Sequence, residues 1–502
     1  MEVALGIAGL ALAAPTVVKT CFNLVDALMQ KVEKNKSLRS HAERLKAFEI
    51  KTGRSKLKQD MKLGEAILKD PTVEQNDKAC LEAVFDDAMK TLKEMDVTVD
   101  TILQNCDNFL SRKRRVALAK FTEQSRALDT TTNRFHDIVI SQTLVQISES
   151  NNNVSLLKDF DFTIIGPLED WKPLNKSAFI HKGRLTRSLK DIPAGTGEFV
   201  IESRAYKAAT RDWVKTNLRF LAQRLAAAQL AEGILPLVGC REDSVRQEFQ
   251  LAFCANSYAA SAQTLQLLYC EKKTLPTLNF RLGLCANLAE AILHVHTLGL
   301  VHKNIRPENV LIASNDNCES NKVFLLGWKY ARKAFDAPTV REGEPSTERK
   351  IYQHPHRQVE IADEDYCMGH DIYSLGVCML EILAWAPLIS STEAGETSFN
   401  EDFKSGFKNR GLAKDKDEVN PAWLKGQHPR NVQRVLQDMA ADKLPYLAGT
   451  RMAEVVASCL GCLESEEGRG GDANFRGRNP KEVGADFVDS VLKHTRSVAG
   501  AI

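Results

Sequence analysis

The residues of this chain best placed to do chemistry lie in one stretch, Leu298 to Ile312, which reads Leu-Gly-Leu-Val-His-Lys-Asn-Ile-Arg-Pro-Glu-Asn-Val-Leu-Ile. His302, Lys303, Asn304 and Asn309 bring an imidazole, an ammonium and two carboxamides close together in sequence. The residue at the centre, Asn304, is a neutral amide and cannot take up a proton near pH 7 as a carboxylate would. A site without a positioned base forfeits about 10²- to 10⁴-fold in rate. Leu300, Val301, Val310, Leu311 and Ile312 make the flanks apolar, and a helix-like run from Leu284 to His296 precedes them. The stretch is therefore expected on a buried loop between a helix and short strands.

Three further segments must be positioned around that loop. Val323 to Arg332 is an apolar strand pattern running into Gly327, Trp328 and Lys329, and Phe199-Val200-Ile201-Glu202 is a second strand that ends in a carboxylate. His370-Asp371-Ile372-Tyr373-Ser374-Leu375-Gly376 opens a helix whose Val377, Leu380, Ile382 and Leu383 continue into a core.

Together these motifs resemble the protein-kinase family. Its catalytic loop reads His-Arg-Asp, four residues and Asn, with Asp as the acceptor of the substrate proton and Asn as a magnesium ligand. This chain has His302, Lys303, Asn304 and Asn309 in that frame. The resemblance places Glu202 where a phosphate-binding Lys is expected, and Gly327-Trp328-Lys329 where Asp-Phe-Gly holds the metal. Only Gly166, followed by Pro167, stands in the region of the glycine-rich loop, after a first strand expected over Asp161 to Gly166. Gly195 and Gly197 fall later, in the turn before the third strand. The resemblance thus implies a pseudokinase with no catalytic residue, no metal and no cofactor, and leaves ATP binding open. The scaffold is expected to persist, with Asp371 tying the catalytic-loop backbone. Tyr352 to His356 resembles the end of an activation segment, with His356 in place of Glu. The polar segment before it carries Thr339, Ser346 and Thr347, where phosphorylation would add about −1.5 to −2 charges. An ordinary solvated loop is the plain alternative.

The 502 residues suffice for two or three cores, and the formal charge of +2 gives no global electrostatic case for nucleic acid. Twelve cysteines show no disulfide framework, and Cys459 and Cys462 lack the second pair of a zinc site. Reduced thiols in the cytosol are expected. The uncharged run from Val3 to Val18 is shorter than the roughly 20 residues of a membrane span and contains Pro15. Glu2 stands where a signal peptide would be basic. A helix buried in a bundle, able to leave it for a bilayer, fits this run better.

Up to about Ser148 the periodicity is helical. Its clearest seam is Leu81, Phe85, Ala88, Leu92, Met95, Val99, Ile102, Cys106 and Phe109. Four helices, hence a four-helix bundle, are expected. A basic second helix and the cluster Arg112, Lys113, Arg114 and Arg115 would favour anionic lipid head groups by about 1 kcal/mol per residue. A solvated face or a nuclear localisation signal reads the same residues differently. With the apolar opening carried by Val3, Leu5, Ile7, Leu10 and Leu12, this half resembles the fungal HeLo and HeLo-like domains. A HeLo-like bundle before a degenerate kinase is in turn similar to the mixed lineage kinase domain-like proteins of necroptosis.

The chain is accordingly expected to be multidomain. An all-α bundle over residues 1–148 and a linker over 149–158 would precede an α+β bilobal kinase-like fold over 159–498. The resemblance implies a latent, membrane-permeabilising executor of regulated cell death. It would be cytoplasmic, recruited to the plasma membrane on activation, and homo-oligomeric there on anionic lipids. An upstream nucleotide-binding immune receptor is the implied trigger. A non-catalytic signalling adaptor and an atypical active kinase are the rival functions. Near the end, Ser390 to Pro429 is expected as a charged insertion with little periodicity, followed by closing helices.

Overall fold

The computed structural model describes residues 164–175, 178–185, 195–228, 231–255, 261–271, 274–314, 321–334, 347–358, 366–391, 397–463 and 480–501, with scattered positions between 90 and 124. The chain divides into two compact units, Met1–Ile147 and Ser148–Ile502. In the first, the described residues are helical. Met95 is fully buried and Val97 exposed, the one-sided burial that a seam through Met95 requires. The rest of the expected bundle lies outside the described residues. That includes Val3, Leu5, Ile7, Leu10, Leu12, Arg112, Lys113, Arg114 and Arg115, together with the linker.

The second unit opens with an antiparallel sheet of β1 (Ile164–Pro173), β2 (Ala178–Leu185), β3 (Gly195–Ala205), β4 (Leu237–Asp243) and β5 (Glu248–Cys254), in the order β1-β2-β3-β5-β4. Two sequence expectations shift here. The first strand does not stop at Gly166 but runs on through Pro167 to Pro173. Its pairing with β2 breaks register between Ile165 and Glu169 and again between Glu169 and Trp171. Such bulges let a strand carry a residue that has no N–H to donate. The β1–β2 turn therefore begins at Leu174, where the N–H groups of Leu174 and Asn175 both donate to the Ala178 carbonyl. Gly195 and Gly197, expected in a turn, already pair with Leu185 and Gly183 inside the ladder.

Phe199, Val200, Ile201 and Glu202 are buried in succession, so β3 is covered on both faces. Helix α1 (Arg211–Ala227) buries Val214, Leu218, Leu221 and Leu225 along one stripe.

A largely helical region follows. Helices α2 (Leu265–Glu271), α3 (Leu278–Thr297) and α4 (Met368–Ala384) lie in chain order around short strands β6 (Gln263–Thr264), β7 (Leu300–Val301), β8 (Val310–Ser314), β9 (Asn321–Leu325) and β10 (Arg332–Lys333). These pair as a β6-β8-β9 sheet and a β7-β10 ribbon. Helix α4 is buried from Met368 to Leu383, as a helix apolar on all sides must be.

Of the segment 390–429, expected as a charged insertion with little periodicity, the described residues 390–391 and 397–429 include regular elements joined by aromatic packing. A hairpin of β11 (Ile389–Ser391) and β12 (Thr397–Phe399) leads into α5 (Glu401–Asn409). The rings of Phe399, Phe403, Phe407 and Trp423 meet edge to face at centroid distances of 5.5, 5.2 and 5.2 Å. The Asn400 side chain caps α5 by accepting the Phe403 N–H at 2.7 Å. Helices α6 (Pro429–Ala448), α7 (Thr450–Leu460), α8 (Pro480–Phe487) and α9 (Lys493–Ala501) close the unit. No helix among the described residues is long and apolar enough to cross a membrane.

Candidate functional site

Two buried carboxylates hold the backbone here, one under the loop 302–309 between β7 and β8 and one under Gly327 and Trp328. The first is Asp371, one turn into α4. Its oxygens accept the backbone N–H groups of His302 (2.7 Å) and Lys303 (2.9 Å) and the Tyr366 hydroxyl (2.8 Å), and lie 3.3 Å from His296 Nε2. Burial by itself would raise the pKa of this carboxyl. The hydrogen bond and charge of His296, with His302 and its N–H, outweigh burial and hold the group below the ordinary Asp value.

The second is Glu202 on β3. Its Oε1 accepts the Gly327 N–H at 2.9 Å and its Oε2 the Trp328 N–H at 3.0 Å. Here burial is the dominant influence, and the two N–H groups and Lys329 oppose it only in part. The carboxyl is pushed up to about 7.

Between these anchors, side-chain amides donate to backbone carbonyls. Asn304 Nδ2 donates to the Gly327 carbonyl at 3.0 Å, and Asn309 Nδ2 donates to the Asn304 carbonyl at 2.8 Å. From the β1–β2 turn, Asn175 Nδ2 reaches down to Asn309 Oδ1 (3.2 Å) and the Glu308 carbonyl (3.1 Å). A continuous hydrogen-bonded chain thus runs from Asn175 through Asn309, Asn304 and Gly327 to Glu202. At the side, Lys172 Nζ donates to the Ala262 carbonyl at 2.9 Å.

Gly327 is the residue on which this packing turns. Its φ of +86° belongs to the left-handed region, and a Cβ there would stand 2.5 Å from Asn304 Nδ2 and 2.8 Å from the Asn309 amide. The neighbouring Trp328 is buried, donates its indole N–H to the Leu325 carbonyl at 3.1 Å, and meets the His302 ring edge to face at 4.9 Å. Burial also pushes the His302 imidazole down to about 4, so the ring is neutral at physiological pH.

Lys303 faces the other way. Its φ is +65°, and its Nζ lies 5.4 Å from the Tyr366 ring, over which Arg357 also sits at 5.8 Å. Arg332 Nη2 donates to the Tyr366 carbonyl at 3.1 Å. Burial, with the charges of Arg332 and Arg357, pushes the Lys303 ammonium down to about 8.

The structure therefore brings Glu202, His302, Asn304, Asn309 and Gly327 into one cluster and sets Asp371 and Lys303 behind it. Thr347 opens the short helix Thr347–Lys350, whereas Thr339 and Ser346 lie outside the described residues. Asn175 is the member that sequence reasoning missed. Its partners are more than a hundred residues away in the chain, and nothing local distinguishes it from any turn asparagine.

No family model matches the chain. Similarity to individual proteins is to protein kinases, and it is partial. A rhodopsin kinase, grk7-a of Xenopus laevis, is 29% identical over 99 residues, which is 20% of this chain and 16% of that protein. An Aurora kinase of Yarrowia lipolytica is 30% identical over 100 residues, 20% of this chain and 24% of its own length. Calcium-dependent protein kinase 25 of Arabidopsis thaliana is 28% identical over 173 residues, 34% of this chain and 29% of that protein. The chain thus spans less than a third of the length of these relatives. Together with the sheet, the loop and the central helix, the similarity supports a kinase-like fold for the second unit.

Proposed function

We propose that the second unit is a pseudokinase that controls the first by its shape, and that the whole chain is a latent executor of regulated cell death. The observation that carries the pseudokinase reading is the closed chain from Asn175 to Glu202. In a working kinase the corresponding polar atoms face nucleotide phosphates and magnesium. Here the Glu202 carboxylate would repel a triphosphate, and its oxygens already accept two backbone N–H groups. Asn304 at the base position donates its amide to Gly327 and offers no proton acceptor of useful strength. Asp371, by contrast, keeps its hold on the loop backbone, as expected of a domain retained for its scaffold.

The executor reading rests on the apolar opening of the chain and on the resemblance of its first half to HeLo-like bundles. In this reading the bundle meets anionic lipid at the plasma membrane and oligomerises there. An upstream receptor acts through the pseudokinase, and Thr339, Ser346 and Thr347 are candidate switch positions. Dye release from anionic liposomes tests it, comparing residues 1–150, the same piece lacking Val3 to Ala14, and the full chain. Release by the piece, lost on trimming and suppressed in the full chain, supports a restrained executor. Absence of release in all three moves the function to a signalling adaptor. Transfer of radiolabelled phosphate by the full chain would instead revive the active-kinase reading.

A further inference from the structure

We propose that His354, His356 and His370 form a binding site for a transition-metal dication of the zinc class, which ties the turn after Tyr352 to the start of α4. The three side chains each offer one ring nitrogen, and these atoms lie within 4.8 Å of one another. The rings of His354 and His356 stand 4.5 Å apart between centroids, and those of His354 and His370 stand 5.2 Å apart. A tetrahedral zinc ion with bonds of about 2.0–2.1 Å holds its nitrogens about 3.4 Å apart. The rings therefore need to draw in by about an ångström, within the reach of side-chain torsions.

The surroundings of each ring fit ligation. His354 Nε2 lies 3.1 Å from the buried Cys462 carbonyl, so that nitrogen carries the proton and Nδ1 presents its lone pair toward His356. A backbone carbonyl on the remote nitrogen is how metal-binding histidines are commonly oriented. His354 Nδ1 accepts a long bond, at 3.3 Å, from the His356 N–H. His370 is fully buried, and its Nε2 has no hydrogen-bond partner among the described residues. A buried polar atom without a partner is costly, and a metal at Nε2 would satisfy it. Arg357 is turned over the Tyr366 ring at 5.8 Å. An all-imidazole set selects zinc, copper or nickel over magnesium or calcium.

Loading the site changes one tautomer. As the rings stand, the Cys367 N–H donates to His370 Nδ1 at 2.8 Å, so Nε2 holds the proton. With a metal on Nε2 the proton sits on Nδ1, where Cys367 Sγ, 3.3 Å away, accepts it, and the backbone bond is given up. Cys367 is thus a positioning residue for the metal.

The test is calorimetric titration of the chelator-treated full chain with Zn²⁺, with Mg²⁺ as the control, for wild type, His356→Ala and Cys367→Ala. Losing an orienting partner costs about 10- to 100-fold in affinity, and losing a direct ligand costs at least that. The expected result is a one-to-one Zn²⁺ component with no Mg²⁺ counterpart. It should be weakened at least about 100-fold in His356→Ala and about 10-fold or more in Cys367→Ala, with circular dichroism unchanged. Zn²⁺ should also raise the melting temperature of wild type but not of His356→Ala. Should His356→Ala not fold, Co²⁺ titration of wild type decides, since a tetrahedral nitrogen site gives intense visible bands. Zn²⁺ uptake equal in wild type and His356→Ala, no uptake at all, or only the weak spectrum of octahedral Co²⁺ would overturn the proposal.

Discussion

Two buried carboxylates in this molecule hold backbone in the same way and end in opposite protonation regimes. Asp371 accepts the N–H groups of His302 and Lys303, and Glu202 accepts those of Gly327 and Trp328. Around Asp371 stand His296, His302 and Tyr366, which favour the anion and keep its pKa low. Around Glu202 burial prevails, and its pKa lies at about 7. The difference lies in the surroundings: His296 and His302 offset burial at Asp371, whereas burial prevails at Glu202. Asp371 is a permanently charged anchor for the loop. Glu202 is a latch on the N–H groups of Gly327 and Trp328 that titrates near neutrality.

The contrast can be broken at either end. The largest effect is expected from Asp371→Ala, which leaves two N–H groups and the Tyr366 hydroxyl without their acceptor. Urea denaturation should show a loss of about 3–5 kcal/mol. Gly327→Ala comes next, at about 2–4 kcal/mol. It forces a side chain into left-handed backbone and against the Asn304 and Asn309 amides. A loss below about 1 kcal/mol would mean that the cluster yields easily and is not a lock.

Third is the pH dependence of Glu202. Its folded pKa of about 7 lies above the ordinary value of 4.5. The folded state therefore binds the proton more tightly than the unfolded state does. This contribution is fully present below about pH 4.5 and is lost as pH rises through about 7, amounting to about 3 kcal/mol. Glu381, pushed up to about 8 by burial, adds a loss of the same sign, and His302, at about 4, adds a gain between about pH 4 and 6.5. The comparison is therefore the difference between wild type and Glu202→Gln from pH 5 to 8. Wild type should lose stability relative to the variant across that range. A flat difference would show that Glu202 is charged throughout, like Asp371. The smallest effect is expected from Asn175→Ala, about 1 kcal/mol, since the other links of the chain persist.

The parts of this arrangement legible in the sequence were those written in local order. The loop Leu298–Ile312 and the helix from His370 announce themselves by apolar flanks and fixed spacing, and Glu202 stands out as a carboxylate after the apolar run Phe199-Val200-Ile201, although β3 continues past it to Ala205. What the sequence did not disclose depends on long-range contact or on register. Gly166 and Pro167 read as the start of a loop, yet β1 absorbs them through bulges. Asn175 gains its meaning only when the β1–β2 turn meets Asn309. The packing of 397–429 rests on four aromatic rings whose spacing is hidden among charges. The three histidines are separated by a polar stretch and converge only because the turn after Tyr352 packs on α4, where Ser374 Oγ donates to the Tyr352 carbonyl at 2.6 Å.

The central claim, a cluster around Gly327 whose polar groups are committed to one another, is tested most directly by titrating the full chain with magnesium and ATP. A nucleotide bound at about 100 times its Kd would stabilise the fold by about 2.7 kcal/mol, a readily visible rise in melting temperature. The account predicts no saturable heat and no shift at millimolar nucleotide. Saturable binding by the wild-type chain, with a matching rise in melting temperature, would contradict it, because these polar groups would then be open to the ligand they are argued to exclude.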